Sequence, residues 1–177
     1  MVRKGPATAP RTRRQSWALW TAYGAAVWSV LFGGLSFFWA AGGVTGLQPL
    51  EQTGAASPTT AILARLVNVF VGLVKVFAAF VIVAYARETP LPVSRRLLTG
   101  LVWFAGVGML VYGSVGEVSD ILHVTGVVYD PTTVHWFFDY LVLWDPWWAL
   151  GGALVTATAW LMRRGDSAQA GRLEQTH

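Results

Sequence analysis

Hydrophobic residues crowd into four stretches, each about as long as a bilayer is thick. A spanning helix needs about 20 mainly apolar residues, and residues 17–41, 61–86, 97–118 and 141–162 meet that length. Turn-forming residues fall between them. Pro49 and Pro58 separate the first two stretches, Pro90 and Pro92 the next two, and Pro131 lies before the fourth. Pro146 sits at the first turn of the fourth stretch, where proline is tolerated because its missing N–H has no helical partner there. The pattern predicts an all-α fold, a four-transmembrane-helix bundle over residues 16–163. Residues 1–15 and 164–177 read as polar, disordered tails.

The placement of Lys and Arg predicts the threading. Arg3, Lys4, Arg11, Arg13 and Arg14 precede the first stretch, Arg87, Arg95 and Arg96 lie between the second and third, and Arg163, Arg164 and Arg172 follow the fourth. The opposite loops carry Glu51, Asp120, Asp130, Asp139 and Asp145 and no basic residue. Both termini are therefore expected in the cytoplasm of a multi-pass cell-membrane protein. The motif TRRQSWALW has the paired arginines of an export signal, but the apolar run after it is too long for a signal peptide. It reads as an uncleaved anchor.

Composition agrees with a membrane location and narrows the chemistry. Of 177 residues, 54% are hydrophobic and 12% charged, against about 25% charged in soluble domains. The absence of cysteine excludes disulfides, thiolate metal sites and thiol redox chemistry. The net charge of +4 follows from the topology signal, so lipid headgroups rather than nucleic acid are the expected partner. The ten tryptophans suit membrane interfaces.

One basic residue is out of place. In NVFVGLVKVFAAFVIVA, residues 68–84, Lys75 sits mid-span. At 100° per residue Arg65, Asn68, Gly72, Lys75 and Ala79 fall within about 80° of one another, a stripe that should face other helices rather than lipid. Gly106 and Gly113 mark one face of the third helix, and Glu117 lies about 20° from Gly106. Ala149, Ala153 and Ala157 make a small-residue ridge on the fourth, beside Gly152 and Thr156. Arg65 and Glu117 should share a depth near the outer boundary and pair, with Asp120 as a second candidate.

Lys75 lies about 15 Å deeper than Arg65, where only Ser29, Thr156 and glycine backbone are at hand. Three accounts remain open. Lys75 reaches up to Glu117 as a structural pair, it is held by Ser29, Thr156 and water, or it awaits an anionic or carbonyl-bearing ligand. The candidate ligand-binding set is Lys75, Arg65, Asn68, Glu117, Ser29 and Thr156.

In the loop before the fourth stretch, His135 and Asp139 stand four apart, suiting a short interfacial helix after Pro131. Asp120, His123, His135 and Asp139 offer donors for a divalent metal, yet they match no established ligand spacing and no HExxH occurs. A solvated acidic rim is the simpler reading. LWDPWW reads as an N-cap, with Asp145 before Pro146.

FWAAGG (Phe38–Gly43) and WWALGG (Trp147–Gly152) echo each other at the outer ends of the first and fourth helices. FGGLSFFWAAGGVTGL, together with LWDPWWALGG, resembles a family of small four-helix integral membrane proteins from high-GC bacteria, classed as a domain of unknown function. The resemblance covers residues 20–162. It implies a four-helix membrane protein and brings no catalytic residues.

Three functions compete. The first is a non-enzymatic protein that binds or moves a small ligand through the polar stripe. The second is a structural or accessory subunit engaging a protein partner or a second copy. The third, an embedded enzyme using Glu117, Asp120, His123 or Lys75, has no nucleophile–base motif, phosphate loop or cofactor fingerprint to support it. No cofactor is expected.

Overall fold

A computed structural model of the chain describes residues 13–43, 58–127 and 143–174. Four helices make up the described fold: α1 (Arg13–Ala40), α2 (Pro58–Ala86), α3 (Arg95–Val124) and α4 (Asp145–Glu174). The first three are long and apolar enough to cross a membrane, over Arg13–Ala40, Thr59–Ala86 and Arg95–His123. This is the pattern of a multi-pass membrane protein. The apolar part of α4 ends at Met162, before Arg163 and Arg164, and the helix continues through polar sequence to Glu174. The interfacial helix expected after Pro131 lies outside the described residues.

Three helices stop in the same way. Gly42, Glu88 and Gly126 take positive φ values of 101°, 58° and 74°. In each case the following N–H bonds to the carbonyl five residues back, as in Gly43 to Phe38, Thr89 to Ala84 and Val127 to Leu122. This is the Schellman closure, which satisfies carbonyls the helix leaves over. Glycine suits the left-handed residue because it has no Cβ to clash. Glu88 does the same job under strain.

The helices pack in the order α2, α1, α4, α3. The closest pairs are α1 with α2 and α3 with α4, joined by α1 against α4, while α2 barely touches α3. Contacts pair Tyr23 with Arg87, Ser29 with Lys75 and Gly33 with Gly72, so α1 and α2 run antiparallel. Gly106 with Thr156 and Gly113 with Ala149 set the same relation for α3 and α4. The inner position of α1 shows in its burial: 39% of its apolar window is covered, against 17% for α2 and 22% for α3.

Among the described residues, all four helices converge at one end. There Ala18, Ala22 and Ala25 of α1 meet Ile82, Tyr85 and Ala86 of α2, Leu98 and Val102 of α3, and Ala159 and Met162 of α4. Alanines on α1 let the backbones approach. Tyr85 Oη lies 3.3 Å from Thr99 Oγ1, and Arg95 Nη1 donates to the Tyr85 carbonyl at 3.2 Å, tying α2 to α3 beside the turn that joins them. We call this the closed end.

Away from it α2 and α3 diverge, and the centre is held by aromatic rings between α1 and α4. Trp28, Phe32 and Trp144 are buried together. Trp28 Nε1 donates to the Trp147 carbonyl at 2.8 Å, which satisfies the one polar group the indole brings inside. A Cβ at Gly151 would collide with the Trp28 ring. The FWAAGG and WWALGG echo thus becomes a packing device. Trp144 turns into the core rather than anchoring at a headgroup surface, whereas Trp17 and Trp20 stay exposed.

Candidate functional site

Lys75 turns toward α1. Its Nζ donates to Ser36 Oγ at 3.0 Å and stands 3.4 Å from the centroid of the Phe32 ring. Ser29 Oγ donates to the Lys75 backbone carbonyl at 2.7 Å. The reason is local. A helical side chain leans toward its own N-terminus, so the ammonium rises about one turn along α1 from the Lys75 backbone. Ser29, Phe32 and Ser36 sit three and four residues apart, on one face of α1. Gly33 lies on the same side and has no side chain to hold α2 away: a Cβ there would come 3.2 Å from the Gly72 carbonyl and 3.5 Å from Lys75 Cβ.

The cradle is therefore neutral. A hydroxyl accepts one N–H, an aromatic face attracts the charge, and no carboxylate completes the set among the described residues. Ser36 is fully buried, so its hydroxyl is committed to this contact and to the Phe32 carbonyl at 3.4 Å. Lys75 itself is half-buried.

Of the other candidates on α2, Asn68 donates to the Ala64 carbonyl of its own helix at 3.0 Å. Arg65 is exposed and lies beside the α1 terminus; a Cβ at Gly42 would be 3.6 Å from its Nη2. A guanidinium there complements the negative end of the α1 dipole.

Glu117 and Thr156 belong to the other pair of helices. Glycines of α3 pack straight on to α4: a Cβ at Gly106 would lie 2.6 Å from Thr156 Oγ1, and one at Gly113 2.5 Å from the Asp145 carbonyl. Gly152 returns the contact, since a Cβ there would lie 2.6 Å from Leu110 Cα. The expected Ala149–Ala153–Ala157 ridge is not the contact line, because Ala153 is exposed. Ala149, Gly152 and Thr156 form it instead.

At the far end of this pair lies a carboxyl cluster. Asp145 is in the first turn of α4, but its carboxyl lies across the gap against Gly116, where a Cβ would collide with it. The carboxyls of Asp120 and Asp145 lie near each other, with Glu117 close enough to repel Asp145. Carboxylates of one sign this close repel each other. Glu117 Oε2 and Asp120 Oδ2 are buried without a hydrogen-bond partner among the described residues. The extension of α3 to Val124 brings His123 beside Asp120, and His123 Nδ1 sits 2.7 Å from the Ser119 carbonyl. Among the described residues no group of three or more His, Asp or Glu is arranged to hold a metal ion. His135 and Asp139 lie outside them.

Of the candidate ligand-binding set, then, Ser29 alone reaches Lys75, and it does so through the backbone. Phe32 and Ser36 complete the cradle and were not singled out from the sequence. The spacing of Ser29 and Ser36, seven residues apart and hence on one helical face, is the signal that points to them. The Arg65–Glu117 pairing does not form, because the helices that carry the two residues diverge.

No curated protein and no solved structure matches the chain. The family model described as a protein of unknown function (DUF3995) matches residues 29–155, a stretch holding the Lys75 cradle, the aromatic core except Trp28, and the carboxyl cluster, and the chain belongs to that family.

Proposed function

We propose that this is a four-span membrane protein that binds or moves a small anionic ligand through Lys75. One observation carries the reading: a cation in the middle of an apolar helix is met by a hydroxyl and a ring face, without a carboxylate among the described residues. Even a half-buried ammonium is expensive to hold in an apolar span without a counter-charge, and an intramembrane ionisable group marks a functional position by default. An arriving anion supplies that charge. The test compares the wild type with Lys75→Met in phosphatidylcholine nanodiscs, using tryptophan fluorescence and a panel of anions from phosphate and acetate to long carboxylates. At least one anion should give a saturable response in the wild type that the variant loses. Equal responses across the panel would overturn the reading.

The threading that goes with it has both termini in the cytoplasm and α4 as the fourth span, supported by the distribution of Lys and Arg. Because the chain has no cysteine, single-cysteine variants report it cleanly. Thr8→Cys and Ser167→Cys should label from one side of the membrane, and Ser57→Cys and Thr132→Cys from the other.

A second reading, an accessory subunit, is favoured by the exposed apolar faces of α2 and α3. It predicts a stoichiometric partner on mild-detergent purification. A stable, monodisperse and partner-free protein would count against it.

A further inference from the structure

The anion-binding reading leaves open what kind of anion reaches Lys75 and by which route. Contact between α2 and α3 is concentrated at the closed end, where Ile82, Tyr85 and Ala86 meet Leu98 and Val102. Beyond it both helices expose apolar side chains, among them Val76 on α2 and Val111, Tyr112 and Val115 on α3. A chain of rings leads from the buried Phe32 outward to α3. The Phe32 and Trp148 rings meet edge to face at 4.9 Å, and Trp148 meets Tyr112 in the same way at 5.5 Å. Three helices thus contribute one line of rings, which starts under the Lys75 ammonium and ends at Tyr112, 61% exposed on α3.

Resting on the anion-binding reading, we propose that the space between α2 and α3 admits a long-chain carboxylate from the lipid phase, its head group on Lys75 and its tail past Trp148 to Tyr112. Charge complementarity selects the head group. Lys75 offers one positive charge, and two of its directions are already taken by Ser36 and Phe32. That suits a monoanion better than a phosphate dianion, which calls for several donors or an arginine fork. The space selects the tail, since it lies between two apolar helices whose outer faces suit lipid. A small hydrated anion would have to shed its water to enter there. A long-chain carboxylate keeps its acyl chain in the apolar phase already, so burial of the tail offsets the cost of drawing the head group in from the interface, and pairing with an ammonium is strong where water is excluded.

The experiment uses the full-length protein in phosphatidylcholine vesicles and cis-parinaric acid, whose polyene accepts excitation energy from Trp28 and Trp148. The wild type should bind the acid saturably. Lys75→Met should weaken binding at least tenfold, and Lys75→Arg should keep most of it. The methyl ester, which lacks the charge, should bind the wild type no better than the acid binds Lys75→Met. Equal binding of acid and ester overturns the proposal, as does an unchanged Lys75→Met. Should that variant fail to fold, the acid–ester comparison in the wild type decides alone. Acetate competing as well as a long carboxylate would overturn the lipid route while leaving anion binding intact.

Discussion

The α1–α2 and α3–α4 contacts use the same device and arrive at opposite chemistry. Both rely on glycine to bring backbones together: Gly33 opposite Gly72 in one, Gly106, Gly113 and Gly152 in the other. In the first, close approach encloses a cation among neutral groups. In the second, it presses carboxyl groups of one sign together. The bundle keeps these charges apart because α2 and α3 do not close on each other outside the closed end. Opposite charges on neighbouring sequence elements therefore do not imply an ion pair. Which helices touch decides that, and glycine placement decides which helices touch.

The comparison breaks most severely at the α3–α4 contact. Gly152→Val would drive a side chain into the backbone of Leu110, where nothing can rotate aside. We expect a loss of about 3 kcal/mol, the upper range for overpacking, read as failure to purify as a monodisperse species. Gly108→Ala, at a position open to its surroundings, should stay within about 0.5 kcal/mol of the wild type.

The cradle comes next. Ser36→Ala removes the hydroxyl that takes the Lys75 ammonium, and a hydrogen bond to a charged group contributes about 2 kcal/mol. In a Lys75→Met background most of that cost should vanish. A double-mutant cycle by thermal unfolding in detergent measures the coupling. Additive effects would mean that the two side chains do not depend on each other.

Asp145→Asn sharpens the comparison from the anionic side. An amide can donate to Asp120 and removes one of the crowded like charges, so the midpoint of unfolding should rise. A fall would mean that the cluster is held together by something that needs all three carboxylates. A modest effect belongs to Glu88, whose left-handed backbone costs about 1 kcal/mol. Glu88→Gly should recover most of this as a higher unfolding midpoint.

The helices were legible because length and hydropathy are local properties. The ends of α2 were expected within a few residues of Pro58–Ala86, and the stripe from Gly72 through Lys75 to Ala79 does face α1, with Gly72 and Ala79 buried. The glycine face of α3 was also readable from spacing. The partners were not. Lys75 was matched to groups by depth, as though every helix faced every other. Ser36 shares a face with Ser29, yet nothing in a serine marks it as the acceptor of a distant ammonium. The tryptophans were assigned to headgroup surfaces by their composition bias, but Trp28 and Trp144 meet in the core, where Gly151 leaves room for the Trp28 ring.

The sequence by itself determined that the chain is helical and apolar enough for a membrane, where its turns fall, and that a cation sits out of place at residue 75. These follow from side-chain hydrophobicity and from the local conformational limits of proline and glycine. Only the tertiary structure decided that α2 leans on α1 and diverges from α3, that Phe32 and Ser36 receive the ammonium, and that the carboxylates of α3 and α4 gather where those two helices meet. Helix pairing depends on contacts between residues far apart in the chain, and those are fixed by which glycines and rings fit together.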